Sequence, residues 1–579
     1  MDFIRITAEA LVLCVFLMIM AGVLAGWGRF VFRLLGVDAP VITDTSSVWI
    51  GFFTALGLVE FVHFFIQIDW MVTTAFAVIG FAKLFTSLQP ADRAACRVAF
   101  IQIRSKSLYV ALGLIFTAIA IARTMEAPGS YDSGLYHFGS IKWLNEAPLI
   151  PGLANVHMRF GFNQSYFGFL ALSNLAPYWN KGYAAGGLFI LLLTALTILQ
   201  LGLKQSQSWR AAFFSCLFVY LSTILGVLAN PSPDTAIDLL EISIFVYLVA
   251  LLNGNSSKDQ VAHYSIVILL LCIAAITIKL SSMVFAGSCG LIVLVWIVKH
   301  GNLPRKAWIR GSLLVTLFGL IHILRSVLLS GVPFFPNGML AQFSLPWAVT
   351  EGVPKYESLM IYSWARTPGA LEPLNVLKDW DWFIPWVHRI AIPVRITFGL
   401  VIVSTILNTY LSWKSTREST TTKANWLYLP IWLSFVFWFL TAPDLRFLGP
   451  LMALHLALCI WQLLEKHRAR ENKINRQTRL NRLALTIITF VVAGGAMLKI
   501  GVIKPISYAG WQVLPAAETK IKRTDYDLYI HMPKADQACW DSDLVCTPYF
   551  DGNLHKVPIN FSILGLQLID RYYFSVIPK

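Results

Sequence analysis

The chain has 579 residues, 57% of them hydrophobic and only 13% charged, and its mean hydropathy is +0.64. A water-soluble globular domain carries about 25% charged residues, so this composition excludes one and requires that most of the chain sit in lipid. The net charge of +15 does not mark a nucleic-acid binder, because the cations gather in short loops between apolar runs.

Those runs, each near the ~20 residues needed to cross a bilayer, lie at 8–26, 47–67, 70–88 and 107–123. The segment from Met1 to Gly26 has no small-residue cleavage site and reads as a retained helix rather than a signal peptide. Polar residues then run from Arg123 to Ser165. The piece at 166–179 is interrupted by Asn174 and Pro177 and reads as an interfacial or re-entrant helix. Further runs follow at 184–203, 211–229, 236–252, 263–279, 281–298 and 309–330. An aromatic-rich loop covers 332–385. Then come 387–411, 426–441, 447–465 and 483–500, and a polar tail over 501–579. Backbone polar groups cannot go unpaired in hydrocarbon, so the runs are helices. The expected fold is an all-α polytopic bundle of about fourteen membrane helices over 1–500, with surface helices at its outer face.

Charge sets the orientation. Lys83, Arg93, Arg97, Arg104 and Lys106 form one basic loop. Lys299, Arg305, Lys306 and Arg310 form a second, and Lys466, Arg468, Arg470, Lys473, Arg476, Arg479 and Arg482 a third. With 166–179 not crossing, all three fall on the cytoplasmic side. Residues 124–183, the loop 332–385, the turn at Asp444–Arg446 and the tail 501–579 then share the opposite face. Cys539 and Cys546 lie in that tail and suggest a disulfide in an oxidising compartment.

The richest polar stretch is Tyr131-Asp132-Ser133-Gly134-Leu135-Tyr136-His137, just past a hydrophobic run. A helix beginning there brings Tyr136 near the Asp132 carboxylate. A carboxylate partly desolvated at a membrane edge has a raised pKa and suits a general base; a helix cap is the plainer role. Asn155 to Ser165, with His157, Arg159 and Asn163 among aromatics, mixes hydrogen-bonding groups with ring faces in a way that suits a sugar. Lys279, Arg325 and Arg446 stand near outer helix ends, where converging cations would hold a phosphate; snorkelling is the alternative for each. Asp444 is placed to pair with Arg446. Asp234 and Asp238 form a second outer-face acidic pair, suited to bind a cation or position an acceptor, with capping the plainer role for Asp234. Trp540-Asp541-Ser542-Asp543 reads as turn chemistry between the cysteines. No nucleotide phosphate loop, dinucleotide fingerprint or His-Glu-x-x-His helix is present.

The order of a span, an Asp opening the first large outer loop, a surface helix, a polar loop and a short apolar helix resembles the GT-C superfamily of integral membrane glycosyltransferases. Ile278-Lys279 and Pro443-Asp444-Leu445-Arg446-Phe447 are similar to its outer-face lysine and arginine turns. Tyr131–Phe167, Arg325–Pro336 and the Cys539–Pro548 tail also look like a group of bacterial multi-pass proteins, a distant branch of the same superfamily. The chain departs in having Asp132-Ser133 where many members have Asp-Glu, and about three extra spans before the loop.

The resemblance implies an inverting sugar transfer at the periplasmic face of a bacterial inner membrane. The donor would be a polyprenyl-phosphate sugar arriving through the lipid, and the acceptor a glycan, lipid or protein, with no nucleic acid as partner. Asp132 would be the base, with Tyr136 and His137 orienting either it or the sugar. Lys279, Arg325 and Arg446 would offset the leaving phosphate, so that no metal or other cofactor is required. Trp347, Trp364, Trp380, Trp382 and Trp386 would close over the site or, equally, form a membrane-interface belt. A lipid-linked oligosaccharide polymerase or ligase, or a transporter, are the alternatives.

Overall fold

The computed structural model describes residues 2–105, 107–253, 257–300, 303–338, 342–370, 372–413, 421–470, 517–558, 562–563, 566–567 and 572–576. In chain order the helices are α1 (Asp2–Leu35), α2 (Thr45–His63), α3 (Trp70–Ser87), α4 (Pro90–Ser105), α5 (Ser107–Thr124), α6 (Phe138–Glu146), α7 (Ser165–Ser173), α8 (Gly182–Gly202), α9 (Gln207–Ile224) and α10 (Pro233–Asn253). They continue as α11 (Lys258–Ile278), α12 (Met283–His300), α13 (Arg305–Ser330), α14 (Val353–Arg366), α15 (Pro373–Leu377), α16 (Phe383–Arg389), α17 (Ile392–Trp413), α18 (Thr421–Thr441) and α19 (Leu451–Arg470).

Ten of these, α1–α3, α8–α13 and α17, are long and apolar enough to cross a membrane, and α5, α18 and α19 hold shorter apolar stretches. The protein is a multi-pass helical membrane protein. The expected span at 483–500 lies outside the described residues, as does the start of the tail. The short piece near 166 is α7, nine residues and therefore too short to cross. It is buried against α2, α6 and α8.

Local sequence sets the helix starts. Asp44 and Asp69 accept hydrogen bonds from first-turn amides of α2 and α3, and Ser257 with Gln260 forms a capping box on α11. The first three helices pack backbone to backbone. A Cβ added at Gly28 would run into the Ser47 carbonyl, and one at Gly51 into that of Leu24, the close approach that small residues allow in membranes. A buried Arg29–Asp92 pair at 2.9 Å ties α1 to α4. The centre of the bundle is α10 and α11, almost wholly buried, whereas α13 and α17 expose Leu313, Leu317, Ile396 and Ile406, as lipid-facing helices do.

At one end of the bundle, residues of the connection 125–164 together with Pro346 and Trp347 meet a C-terminal module that departs from the all-α expectation. β1 (Thr519–Arg523) pairs antiparallel with β2 (Tyr529–Pro533), with Ile521 opposite His531. Two short strands, β4 (Ser562–Ile563) and β5 (Leu566–Gln567), pair with each other. β3 (Leu554–Pro558) pairs with β6 (Tyr572–Val576), with Lys556 opposite Phe574. The Cys539–Cys546 disulfide is formed. The module seals the first loop: Trp540 N donates to Gly134 O at 3.0 Å and Phe574 N to Pro151 O at 3.0 Å.

Candidate active site

The loop after α5 opens as a π-helical turn, Ser133–His137, which runs directly into α6. Such turns are rare and recur at functional sites. Its start is pinned from the α9–α10 connection, where Asn230 Oδ1 accepts from Gly129 N at 3.0 Å and Ser130 N at 2.9 Å. Asp132, at the mouth of the turn, makes no cap. Its Oδ1 accepts from Arg159 Nη1 at 2.6 Å, and its Oδ2 from Arg446 Nη1 at 2.9 Å.

Each arginine is itself held. His157 Nδ1 accepts from Arg159 N at 3.1 Å, starting the short turn Met158–Phe162. The Arg159 guanidinium lies 5.3 Å from the Tyr136 ring centre and 3.7 Å from Glu357 Oε1 on α14. Asp444 accepts from Arg446 N at 3.0 Å and so shapes the turn Leu445–Phe447. The Phe447 ring then carries two cations, the Arg446 guanidinium at 4.6 Å and Lys279 Nζ at 4.2 Å. Lys279, just past the end of α11, is ion-paired with Asp234. Asp234 is thus spent on Lys279, while Ser232 Oγ accepts from Asp234 N, which corrects the expectation that Asp234 caps α10.

These surroundings reverse the expected shift at Asp132. Burial pushes its carboxyl up, but Arg159, Arg446 and His137 together hold it below the usual carboxylate range. Glu357 behaves oppositely, burial raising it against the pull of Arg159. Burial also keeps nearby groups neutral, holding His137 at about 4 and His157 at about 3 and pushing the Tyr136 phenol up. His137 makes ring contacts with Tyr136 and Phe167, and its Nδ1 lies 3.4 Å from Ser133 Oγ. It acts on Asp132 only through space, so the side chain that orients the carboxylate is Arg159. Among the described residues no three His, Cys, Asp or Glu side chains group as metal ligands.

Of the three cations singled out in the sequence, Arg446 and Lys279 meet at Phe447. Arg325 stands apart, on α13. It bonds Asn163, whose amide donates to His322 O at 2.8 Å, and His322 Nδ1 lies 2.9 Å from Glu60 Oε1 on α2. Arg325 and Arg159 line one small cavity of about 30 Å³ beside the first loop. Asp238 bonds Tyr220 at 2.7 Å within the bundle, and Asp541 pairs with Lys142 at 3.5 Å.

The tryptophans expected to close over the site do not. Trp380, Trp382 and Trp386 pack with Trp438 and Phe439, and Trp386 Nε1 donates to Pro443 O. Trp347 packs on Tyr573, and Trp364 is exposed. What the 332–385 loop contributes is Glu357. That residue, Asn230, Glu60 and His322 were missing from the sequence reading. Glu60 alone carried a signal, an acid inside an apolar helix.

The family model described as "Domain of unknown function (DUF8201)" matches residues 10–453. The chain belongs to the DUF8201 family. No curated protein and no solved structure matches it. The DUF8201 match contains Asp132, Arg159, Asp234, Lys279, Arg325, Glu357 and Arg446, while the disulfide module lies beyond it.

Proposed function

We propose that the protein is a membrane glycosyltransferase of GT-C type. It moves a sugar, with inversion, from a polyprenyl-phosphate donor to an acceptor hydroxyl at the periplasmic face of a bacterial inner membrane. The observation that carries this reading is the shared carboxylate. Asp132 is gripped by Arg159 on its buried side and by Arg446 on its open side, and Arg446 stands with Lys279 on one aromatic ring.

The grip gives the reaction an order. With both guanidiniums in place, the Asp132 carboxylate is a weaker base than an ordinary one. A donor phosphate competes for Arg446 and Lys279, since arginine binds phosphate and carboxylate alike. Drawing Arg446 away uncovers Oδ2 and raises its basicity. Oδ2 then takes the acceptor proton as the acceptor oxygen bonds to the anomeric carbon. The bond from that carbon to the phosphate oxygen breaks, and its electron pair leaves with the phosphate, whose growing charge Arg446 and Lys279 offset. Arg159 stays on Oδ1 and keeps the carboxylate aimed.

Membranes containing the protein, supplied with labelled polyprenyl-phosphate sugars, test this. Label passes to an acceptor with the native chain, and the rate falls ~10²–10⁴-fold with Asp132→Asn, the worth of a positioned general base. Transfer by Asp132→Asn at the native rate removes the proposed chemistry.

A further inference from the structure

Four ionisable side chains stand inside the bundle next to the first loop. Glu60 and His63 lie on α2, and His322 and Arg325 on α13, each pair three residues apart and so on one helix face. Glu60, His63 and Arg325 are buried. Charge at membrane depth is expensive and is kept where it has a task. Pairing of the two helices accounts for His322, whose Nδ1 lies 2.9 Å from Glu60 Oε1. It does not account for Arg325, whose bonds lead to the loop. Arg325 Nη1 donates to Asn163 Oδ1, and its Nη2 lies 3.4 Å from His63 Nδ1. His63 Nε2 in turn donates to Ala147 O at 3.0 Å.

Asn163 links this cluster to the site. It is 4% exposed and left-handed at φ +51°, a conformation that Asn tolerates better than most side chains, and it ends the turn Met158–Phe162. Its own amide donates to His322 O at 2.8 Å. At the start of the same turn His157 Nδ1 accepts from Arg159 N at 3.1 Å. The turn is therefore fixed at both ends, and Arg159 within it reaches Asp132 Oδ1 at 2.6 Å. Misplacing a group at the reacting centre by about 1 Å can cost about a hundredfold in rate.

We infer that Arg325 is a positioning residue: through Asn163 it fixes the turn that carries Arg159, and so the aim of the Asp132 carboxylate. Its part in catalysis rests on the transfer reading; the fixing of the turn rests on the geometry alone.

Hydrogen–deuterium exchange and transfer kinetics on the full chain in lipid nanodiscs, with labelled polyprenyl-phosphate sugars as donor, test it. Asn163→Gly keeps the left-handed backbone and removes only the side-chain bonds. Amides of 157–163 then exchange at least about tenfold faster, while those of α2 and α13 keep their native rates. The kcat falls at least about tenfold, and the donor KM holds because Arg446 and Lys279 are untouched. Arg325→Met, should it fold, repeats the pattern. Arg325→Lys, which keeps a donor for Asn163, restores exchange and kcat to within about threefold of native. Native exchange at 157–163 in Asn163→Gly overturns the proposal. So does native kcat in that variant, or a loss that comes with faster exchange throughout α2 and α13, the mark of packing alone. The two readings fail separately. A native chain that transfers no sugar, beside loosened 157–163 in Asn163→Gly, would sink the transfer and leave the fixing of the turn standing. Native-rate transfer by Asn163→Gly would sink the positioning role alone.

Discussion

Arg446→Gln discriminates best between a structural and a chemical role for the open side of the Asp132 grip. Two unit charges about 4 Å apart interact by about 4 kcal/mol at an effective dielectric constant near 20. The Arg446 side chain is 47% exposed, which cuts this to about 1 kcal/mol or less. Losing Arg446 removes one of the charges that hold the Asp132 carboxyl low and so raises it, while Arg159 still holds it down. The sign follows from linkage: a carboxyl held low stabilises the fold above its ordinary value, and that contribution disappears as pH falls through the lowered value. In Arg446→Gln this contribution is smaller and is used up at a higher pH. As a structural partner, then, Arg446 is worth at most a factor of about five. As the group meeting charge on a departing phosphate it is worth ~10²–10³ in rate. Transfer of labelled sugar at pH 7 should drop at least a hundredfold, with a melting temperature close to native. A rate within tenfold of native would refute the role given to Arg446 and the competition that frees Asp132.

Other consequences can be checked separately. A Cβ at Gly134 would lie 2.6 Å from the Trp540 ring and 2.8 Å from Ala538 Cβ, so Gly134→Ala should push the disulfide loop off the first loop at a cost of about 1–3 kcal/mol, read as faster proteolysis near residue 540. Cys539→Ser opens a loop with a sequence separation of 7, which the chain-entropy account values at about 2.5 kcal/mol; thermal unfolding in nanodiscs with and without reductant measures it. His137 and His157 are held neutral at about 4 and about 3. Their contribution is whole above the ordinary imidazole value near 6.5 and declines as pH falls toward those values, by about 3 kcal/mol for His137. A melting temperature flat from pH 7 to pH 4 would contradict their burial. Arg159→Gln should be costlier to stability than Arg446→Gln, by about 2–4 kcal/mol, because it strands the buried Glu357 and leaves Asp132 with Arg446 alone.

Periodicity and apolar length made the membrane helices legible, since in lipid each span must satisfy its own backbone and leaves a continuous run in the sequence. Asp132, Lys279 and Arg446 stood out for a related reason: charge beside an apolar run is conspicuous. Their partners were not legible. Glu357 reaches Arg159 from a helix some two hundred residues on, and a single acid in an amphipathic stretch such as α14 carries no mark of that. The sense of the Asp132 shift was misread because the sequence shows an acid near lipid but not the two guanidiniums that meet it. The tryptophans of 380–386 misled because an aromatic-rich loop looks alike whether it covers a site or packs on a neighbouring helix. The strands near the C-terminus are two to five residues long and leave almost no alternating pattern to read.

The seal between β6 and the first loop has a consequence for biogenesis. Asn155 donates to Phe574 O across a sequence separation of 419, and Trp540 closes on Gly134 in the same manner. The polypeptide around Asp132 is therefore translated long before the segments that bond to it. Until those arrive, Gly134, Pro151 and Asn155 lack their C-terminal partners, and a ribosome that stalls before residue 540 leaves an inserted helical bundle with its first loop unsealed.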